Sequence, residues 1–274
     1  MALRGGASLP AVTAADVARG LELLRNAPVN IVTVAGLGAD RVAGVVGAHV
    51  EATENDGRER IAVLGARAPG AANDATPVLT DAGAVSDDRI VLVAPGMREV
   101  DPATGNPVVL PPASLAAVVA GRLATLAPHT SLTNRSLPIE TDVHYDTAVT
   151  KALLDGRVLV VRRKLGYQVV RGITTDTGAF RQISVRRIVD YAKAGVRIGS
   201  DPYIGKLNNA RVRAALQATL DGFLSQMVLD EMLTAYQLEV SATRAQEING
   251  VAAVVMTLQP TFSIDFIRVT MTLQ

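Results

Sequence analysis

The chain has 274 residues, enough for one large or two modest domains with substantial cores. Its formal charge is +1 and its 27 Lys and Arg are scattered, so it lacks the electrostatic footprint of a nucleic-acid binder. Cysteine is absent, which removes disulfides, thiolate metal sites and cysteine nucleophiles, and no apolar run approaches the roughly 18 residues of a membrane span. Apolar residues make up 49% and aromatics only 3%, so the surplus apolar surface is aliphatic and is expected in cores and in large subunit contacts.

In chain order, Thr13 with Asp16 forms a capping-box pattern, and Val17, Leu21 and Leu24 then mark one face of an amphipathic helix. Asn30 to Ala35 is a β-branched run ending at Gly36, Arg41 to Thr53 is helical in composition, and Arg60 to Leu64 and Arg89 to Ala94 are further apolar strands. This β-α-β rhythm predicts an open, doubly wound α/β sheet covered on both faces. Asp101-Pro-Ala-Thr-Gly-Asn-Pro has the chemistry of a turn leaving the sheet, and Pro111-Pro112 precedes an Ala-rich helix over 114–126. An irregular loop is expected over 127–140, a helix over 143–154, and a strand pair from Arg157 to about Thr174. A second unit then begins, with a helix near 185–195, a Gly-Ser-Asp-Pro turn at 199–202 and a long helix over 209–233 striped by Val212, Leu216, Leu220, Phe223 and Met227. Two strands close the chain, Val251 to Leu258 and Phe262 to Leu273, suggesting a smaller α+β layer over 179–274 behind a first domain of 1–178.

Motifs for chemistry are sparse. Gly36-Leu37-Gly38 follows a strand, as a dinucleotide site requires, but Arg41 stands where the third glycine is needed and no acidic residue follows the second strand. His49, His129 and His144 have no metal-binding spacing and are expected to be solvated or hydrogen-bonded, and there is no Gly-x-Ser-x-Gly elbow. No cofactor, metal ligand or catalytic residue is assigned. Two short basic clusters, Arg162-Arg163-Lys164 and Arg186-Arg187, suit either a solvated face or docking on an acidic partner.

The order of segments resembles the tail sheath proteins of contractile phages, pyocins and related injection systems. The resemblance is carried by Leu3-Arg4-Gly5-Gly6, Val29 to Gly36, Ala94-Pro95-Gly96, Ile183-Ser-Val-Arg-Arg-Ile-Val-Asp-Tyr191, Asp201-Pro-Tyr-Ile-Gly-Lys-Leu-Asn-Asn209 and Gln259-Pro-Thr-Phe-Ser-Ile-Asp-Phe-Ile-Arg-Val-Thr-Met271. It implies a subtilisin-like doubly wound sheet without the protease triad, then a C-terminal sheath domain forming the inner, tube-facing layer. It also implies terminal arms that donate strands to neighbouring subunits. Family members carry an N-terminal arm ahead of the Leu-x-Gly-Gly segment, which here begins at residue 3, implying a shortened or compact member. Independently, Ile267, Val269, Met271 and Leu273 alternate with Phe266, Arg268, Thr270 and Thr272, the pattern of a strand with one apolar face.

The resemblance therefore implies a non-enzymatic subunit of a helical stack of hexameric rings around a tail tube protein, with baseplate and tail terminator proteins at its ends. Such a sheath belongs to a virion, is assembled in the host cytoplasm, and contracts to drive the tube through the host envelope for genome ejection. Phe266, Ile267, Arg268, Val269, Thr270 and Met271 are the expected intersubunit strand, and Arg186, Arg187 and Lys206 the expected tube or neighbour contacts. Two alternatives are a pyocin or bacterial injection sheath, and a small-molecule enzyme with its site near Gly36 or Pro95 at the strand ends.

Overall fold

A computed structural model describes residues 12–69 and 73–272, so the Leu3 to Gly6 motif and Leu273 lie outside the described residues. Helix α1 (Ala14–Leu24) opens at the expected capping box: the Asp16 amide donates to Thr13 Oγ1 at 3.3 Å and the Thr13 amide to Asp16 Oδ2 at 2.9 Å. There follow β1 (Ile31–Thr33), α2 (Ala39–Asn55), β2 (Ile61–Gly65), α3 (Thr76–Ala84) and β3 (Ile90–Ala94). The turn over 101–106 joins β4 (Met97–Val100) to β5 (Pro107–Leu110), and α4 (Pro112–Ala124), β6 (Ser136–Leu137), β7 (Glu140–Thr141), α5 (Thr147–Asp155), β8 (Val158–Arg163) and β9 (Tyr167–Val169) complete the first unit.

The main sheet has the order β1-β2-β3-β8-β9-β6, parallel through its first four strands and antiparallel at β9 and β6. The continuous apolar runs of its central strands are explained by cover on both faces. Ala62, Leu64, Ile90, Leu92, Val158 and Val160 join Val42, Val46, Val50, Val78 and Leu153 in one core. The intervening Ile61, Val63, Val91, Val93, Leu159 and Val161 join Leu115, Val119, Leu123 and Ile183 in the other. A strand with period two needs no polar residue when helices shield both sides. A three-stranded sheet, β5-β4-β7, lies beside it.

The remaining elements are α6 (Ile183–Ser200), a 3-10 turn at Asp201–Tyr203, α7 (Ala210–Leu229), β10 (Leu233–Ser241), α8 (Arg244–Ile248) and β11 (Ala253–Pro260). On α7 the stripe faces inward as expected, with Leu216, Leu220 and Met227 buried and Leu224 added to them, against α6 and the antiparallel β10–β11 pair. Tyr236, Leu238 and Val240 of β10 and Val254, Met256 and Leu258 of β11 line this core, while the alternate residues face outward.

Several expectations need correction. The long helix stops at Leu229 rather than 233, because Asp230 leaves helical geometry and Glu231 takes a positive φ of 60°. Leu233 then begins a strand, and that strand, not 262–273, is the partner of β11. Residues 261–272 form no regular element within the chain. The expected turn at 199–202 is instead the end of α6 running into the 3-10 turn, the loop over 127–140 contains β6 and begins β7, and α3 had no counterpart in the sequence reading.

Two glycines permit close approach of elements. A Cβ on Gly65 would stand 2.1 Å from the Ala113 amide nitrogen, where α4 crosses β2, and one on Gly195 would stand 2.0 Å from the Phe223 ring, where α6 meets α7. Gly65→Ala is expected to destabilise by about 3 kcal/mol, read as an earlier urea midpoint by circular dichroism. Gly44→Ala, on an exposed helical position with nothing within 4 Å, should leave the midpoint unchanged or raise it slightly.

Candidate assembly surface

Helix α6 carries basic and acidic side chains on the face that meets the first unit, and its placement rests on them. Arg89, at the entry to β3, is 2% exposed. Its Nε donates to Glu54 Oε2 at 2.7 Å, its Nη1 to Asp190 Oδ2 at 2.9 Å and to the Arg60 carbonyl at 3.1 Å, and its Nη2 to Asp190 Oδ1 at 3.1 Å, with Nη2 also 2.6 Å from Glu54 Oε1 as an ion pair. Each of its three nitrogens thereby donates at least one hydrogen bond, as a buried arginine requires. Lys193 Nζ donates to Glu54 Oε1 at 2.7 Å, and Arg186 bridges Asp88 at 2.6 Å and Asp190 at 2.7 Å. Arg89, Arg186 and Lys193 balance Glu54, Asp88 and Asp190, so the network carries no net charge.

The Arg89 hydrogen bond, against the cost of burial and with help from Lys193, holds the Glu54 carboxyl down to about 2. Burial works against the Arg89 charge, but its bonds to Glu54 and Asp190 outweigh it and hold the guanidinium above its ordinary value. Burial pushes Asp190 the other way, up from the carboxylate range, against the pull of Arg89 and Arg186.

This arrangement corrects one expected contact residue, Arg186, and gives Arg187 a role within the chain. Arg186 is 3% exposed, pinned by carboxylates, with its guanidinium 4.2 Å from the centre of the Phe180 ring, so it is an interior ion pair and not a docking cation. Arg187 donates to the Leu126 carbonyl at 2.9 Å and the Ala127 carbonyl at 3.2 Å, so it fastens α6 to the segment after α4. Lys206 does lie on the surface, its ammonium 4.5 Å from the centre of the Tyr203 ring and flanked by exposed Ile204 and Leu207. Arg163 and Lys164 are exposed at the β8–β9 turn.

The C-terminal segment leaves β11 with the Thr261 amide donating to the Met232 carbonyl at 3.0 Å. It then meets Gln182, the residue capping the start of α6. The Ser263 amide donates to Gln182 Oε1 at 2.9 Å while Gln182 Nε2 donates to the Ser263 carbonyl at 2.9 Å, so the side-chain amide imitates one rung of a β-ladder. Two residues on, Asp265 is 5% exposed and accepts from Arg171 Nη2 at 2.8 Å, Gln182 Nε2 at 3.0 Å and Thr133 Oγ1 at 3.0 Å. The Arg171 guanidinium also covers the Phe266 ring at 4.4 Å. Beyond that point Ile267, Val269 and Met271 are 74–87% exposed. The residues expected to form an intersubunit strand are thus presented on the surface of the single chain.

The turn after β1, named in the enzyme alternative, is acidic. At the turn after β1, the first turn of α2 carries Asp40, a carboxylate 4.0 Å from Arg67, where a phosphate group would have to sit. His49 is buried with Arg60 Nη1 2.6 Å from its Nε2, and burial together with the Arg60 charge holds its pKa down, so it serves as a neutral acceptor. Arg60 Nη2 in turn donates to the Leu24, Arg25 and Ala27 carbonyls, closing the end of α1. His144 lies 3.2 Å from Thr141 Oγ1 and stacks on Tyr167, and His129 is exposed in a loop. Among the described residues no three His, Cys, Asp or Glu side chains group to hold a metal, and no helix is long and apolar enough to cross a membrane.

Residues 175–274 match the family described as the phage tail sheath C-terminal domain. The tail sheath protein of Mycobacterium phage Bxz1 is 27% identical over 229 residues, which is 76% of this chain and 38% of that protein, so the chain spans well under half the length of the curated relative it matches. Among solved structures, the helical sheath of the anti-feeding prophage in its contracted state superposes with a TM-score of 0.73 at 16% identity, covering 97% of this chain and 76% of the other. The sheath complex of PVC, an extracellular contractile injection system, also contracted, gives 0.73 at 17%, covering 89% and 70%. The sheath tail protein of Listeria innocua gives 0.72 at 16%, covering 96% and 60%. The chain shares the fold of contractile tail sheath proteins, and its residues 175–274 match their C-terminal domain, in agreement with the resemblance carried by its motifs.

The ionic seam makes stability depend on acid in a defined direction. Because Glu54 is held from its ordinary 4.5 down to about 2, its contribution is complete above 4.5 and is lost as pH falls from 4.5 towards 2. Glu54→Gln should cost about 2 kcal/mol at pH 7, and the gap between variant and parent in urea unfolding should narrow steadily below pH 4.5.

Proposed function

We propose that this chain is a structural subunit of a contractile sheath, polymerising as a helix around a tail tube and shortening to drive that tube through a host envelope. The observation that carries the reading is the free apolar segment after Asp265, displayed by a chain whose residues 175–274 match the sheath domain family. An exposed strand sequence with one apolar face is an aggregation hazard on an isolated monomer, whereas addition to a neighbour's sheet pairs its backbone and buries that face. The two-stranded β10–β11 sheet offers open edges of the kind such a strand needs, since each of its strands pairs on one side within the chain.

In this reading residues 1–178 form the outer, subtilisin-like domain and 179–274 the inner layer against the tube, with Lys206, Ile204 and Leu207 as surface contacts and Phe266 to Met271 as the exchanged strand. Contacts that do not close on themselves build a helix, and two alternative packings of the same rings supply extended and contracted states. The stack is of hexameric rings, assembled in the host cytoplasm, with tube, baseplate and terminator proteins as partners. Energy is stored at assembly and released through new contacts, so no catalytic group takes part. A phage tail and a bacterial injection system would use the same mechanism.

Negative-stain electron microscopy across a concentration series should show rings or hollow tubes. Ending the chain after Asp265 removes only the exposed strand and the Phe266 ring from Arg171, so unfolding should shift by about 1 kcal/mol or less while long polymers disappear. Tubes of normal length from that variant would overturn strand exchange.

A further inference from the structure

The C-terminal segment divides sharply at Asp265. Before it, every polar group named above is met inside the same chain: Thr261 by Met232, Ser263 by Gln182, Asp265 by Arg171, Gln182 and Thr133. After it, Phe266 keeps a single ring contact and Ile267, Val269 and Met271 are exposed. The socket is built rather than incidental. Thr133 Oγ1 also accepts the Gly172 amide at 3.1 Å, which fixes its hydroxyl toward Asp265, and Arg171 is 10% exposed and directs both Nε and Nη2 at the same carboxylate oxygen. Gln182 gives its side chain wholly to the segment and makes no cap bond to the helix it precedes.

Resting on the sheath reading above, we infer that Asp265 is the anchor of the exchanged arm, a latch that fixes where the arm departs and ties any pull on it to β9, α6 and the loop before β6. The socket draws on Thr133 in that loop, Arg171 just after β9 and Gln182 at the start of α6, so tension enters the first unit and α6 together. Without the latch, and with the Gln182 pairing opened in turn, the free segment would begin at Phe262, and at about 3.3 Å per extended residue the arm would gain about 13 Å of slack. A connection with that much slack cannot convert the rotation of one subunit into a displacement of the next. The latch therefore positions the arm and transmits load, while the residues beyond it provide the pairing.

The test uses the full chain and two readouts. Amide exchange of Ser263, followed by mass spectrometry below the concentration at which polymers form, reports the latch; polymer length by electron microscopy reports assembly. Asp265→Ala should speed Ser263 exchange about 10- to 100-fold, the effect of losing a charge-assisted hydrogen-bond set, with β2 and β3 exchange unchanged and polymers shortened. Asp265→Asn, which keeps an acceptor but not the charge, should fall between, and Gln182→Ala should open the segment without touching the ion pair, which keeps the test sound if Asp265→Ala unfolds. Unchanged Ser263 exchange in both Asp265→Ala and Gln182→Ala would overturn the latch, as would faster exchange with polymers of normal length, or short polymers with exchange unaltered. Absence of any polymer from the parent chain would instead count against the sheath reading, while the exchange experiment still judged the latch.

Discussion

Arg89 sits where three parts of the molecule have to agree. Its guanidinium is closed off from water by Glu54 from α2, Asp190 from α6 and the Arg60 carbonyl from the edge of β2, and each takes protons that would otherwise be stranded in the interior. A buried charge of this kind adds little net stability over an apolar packing of the same volume, but it penalises wrong placements heavily, because α6 displaced by a few ångströms would leave a cation without partners. The seam thus favours one position of α6 over many, and α6 in turn carries Gln182, the socket and the packing surface of α7. The geometry of the C-terminal segment depends on that chain of placements.

Neutrality of the seam has a further effect. Each carboxylate serves two cations or one doubly held cation, so no single pair is an isolated surface contact of the sort that salt would screen away. The apolar cores on the two sides of the sheet provide most of the driving force, and the ionic layer between β3 and α6 decides orientation.

Much of this was legible in the sequence, for reasons of pattern. The unbroken runs at 61–64 and 90–94 announced strands shielded on both faces, and the four, four, three, four spacing on α7 announced its buried stripe. The Thr13 capping box is a local device and reads locally. What escaped is longer in range or weaker in pattern. Helix α3 is short, with little segregation of its apolar residues, and β10 begins only three residues after a helix, with Met232 and Leu233 resuming the apolar pattern after Asp230-Glu231, so periodicity did not separate the two. Arg186 and Arg187 read as a surface cluster because adjacency in sequence says nothing of partners; Asp88 lies 98 positions away and the Leu126 carbonyl 61. The Asp265 socket draws its members from 94 and 132 positions upstream and could not be seen without the fold.

The reciprocal Gln182 and Ser263 pairing bears on the order in which the protein is made. Synthesis runs from the N-terminus and units fold as they emerge, so Thr133, Arg171 and Gln182 are in place before the residues they hold have been translated. The segment around Asp265 is therefore seated after the residues that receive it have been made. Under the sheath reading proposed above, the placement of Asp265 links display of the segment beyond it to completion of the subunit's own interior.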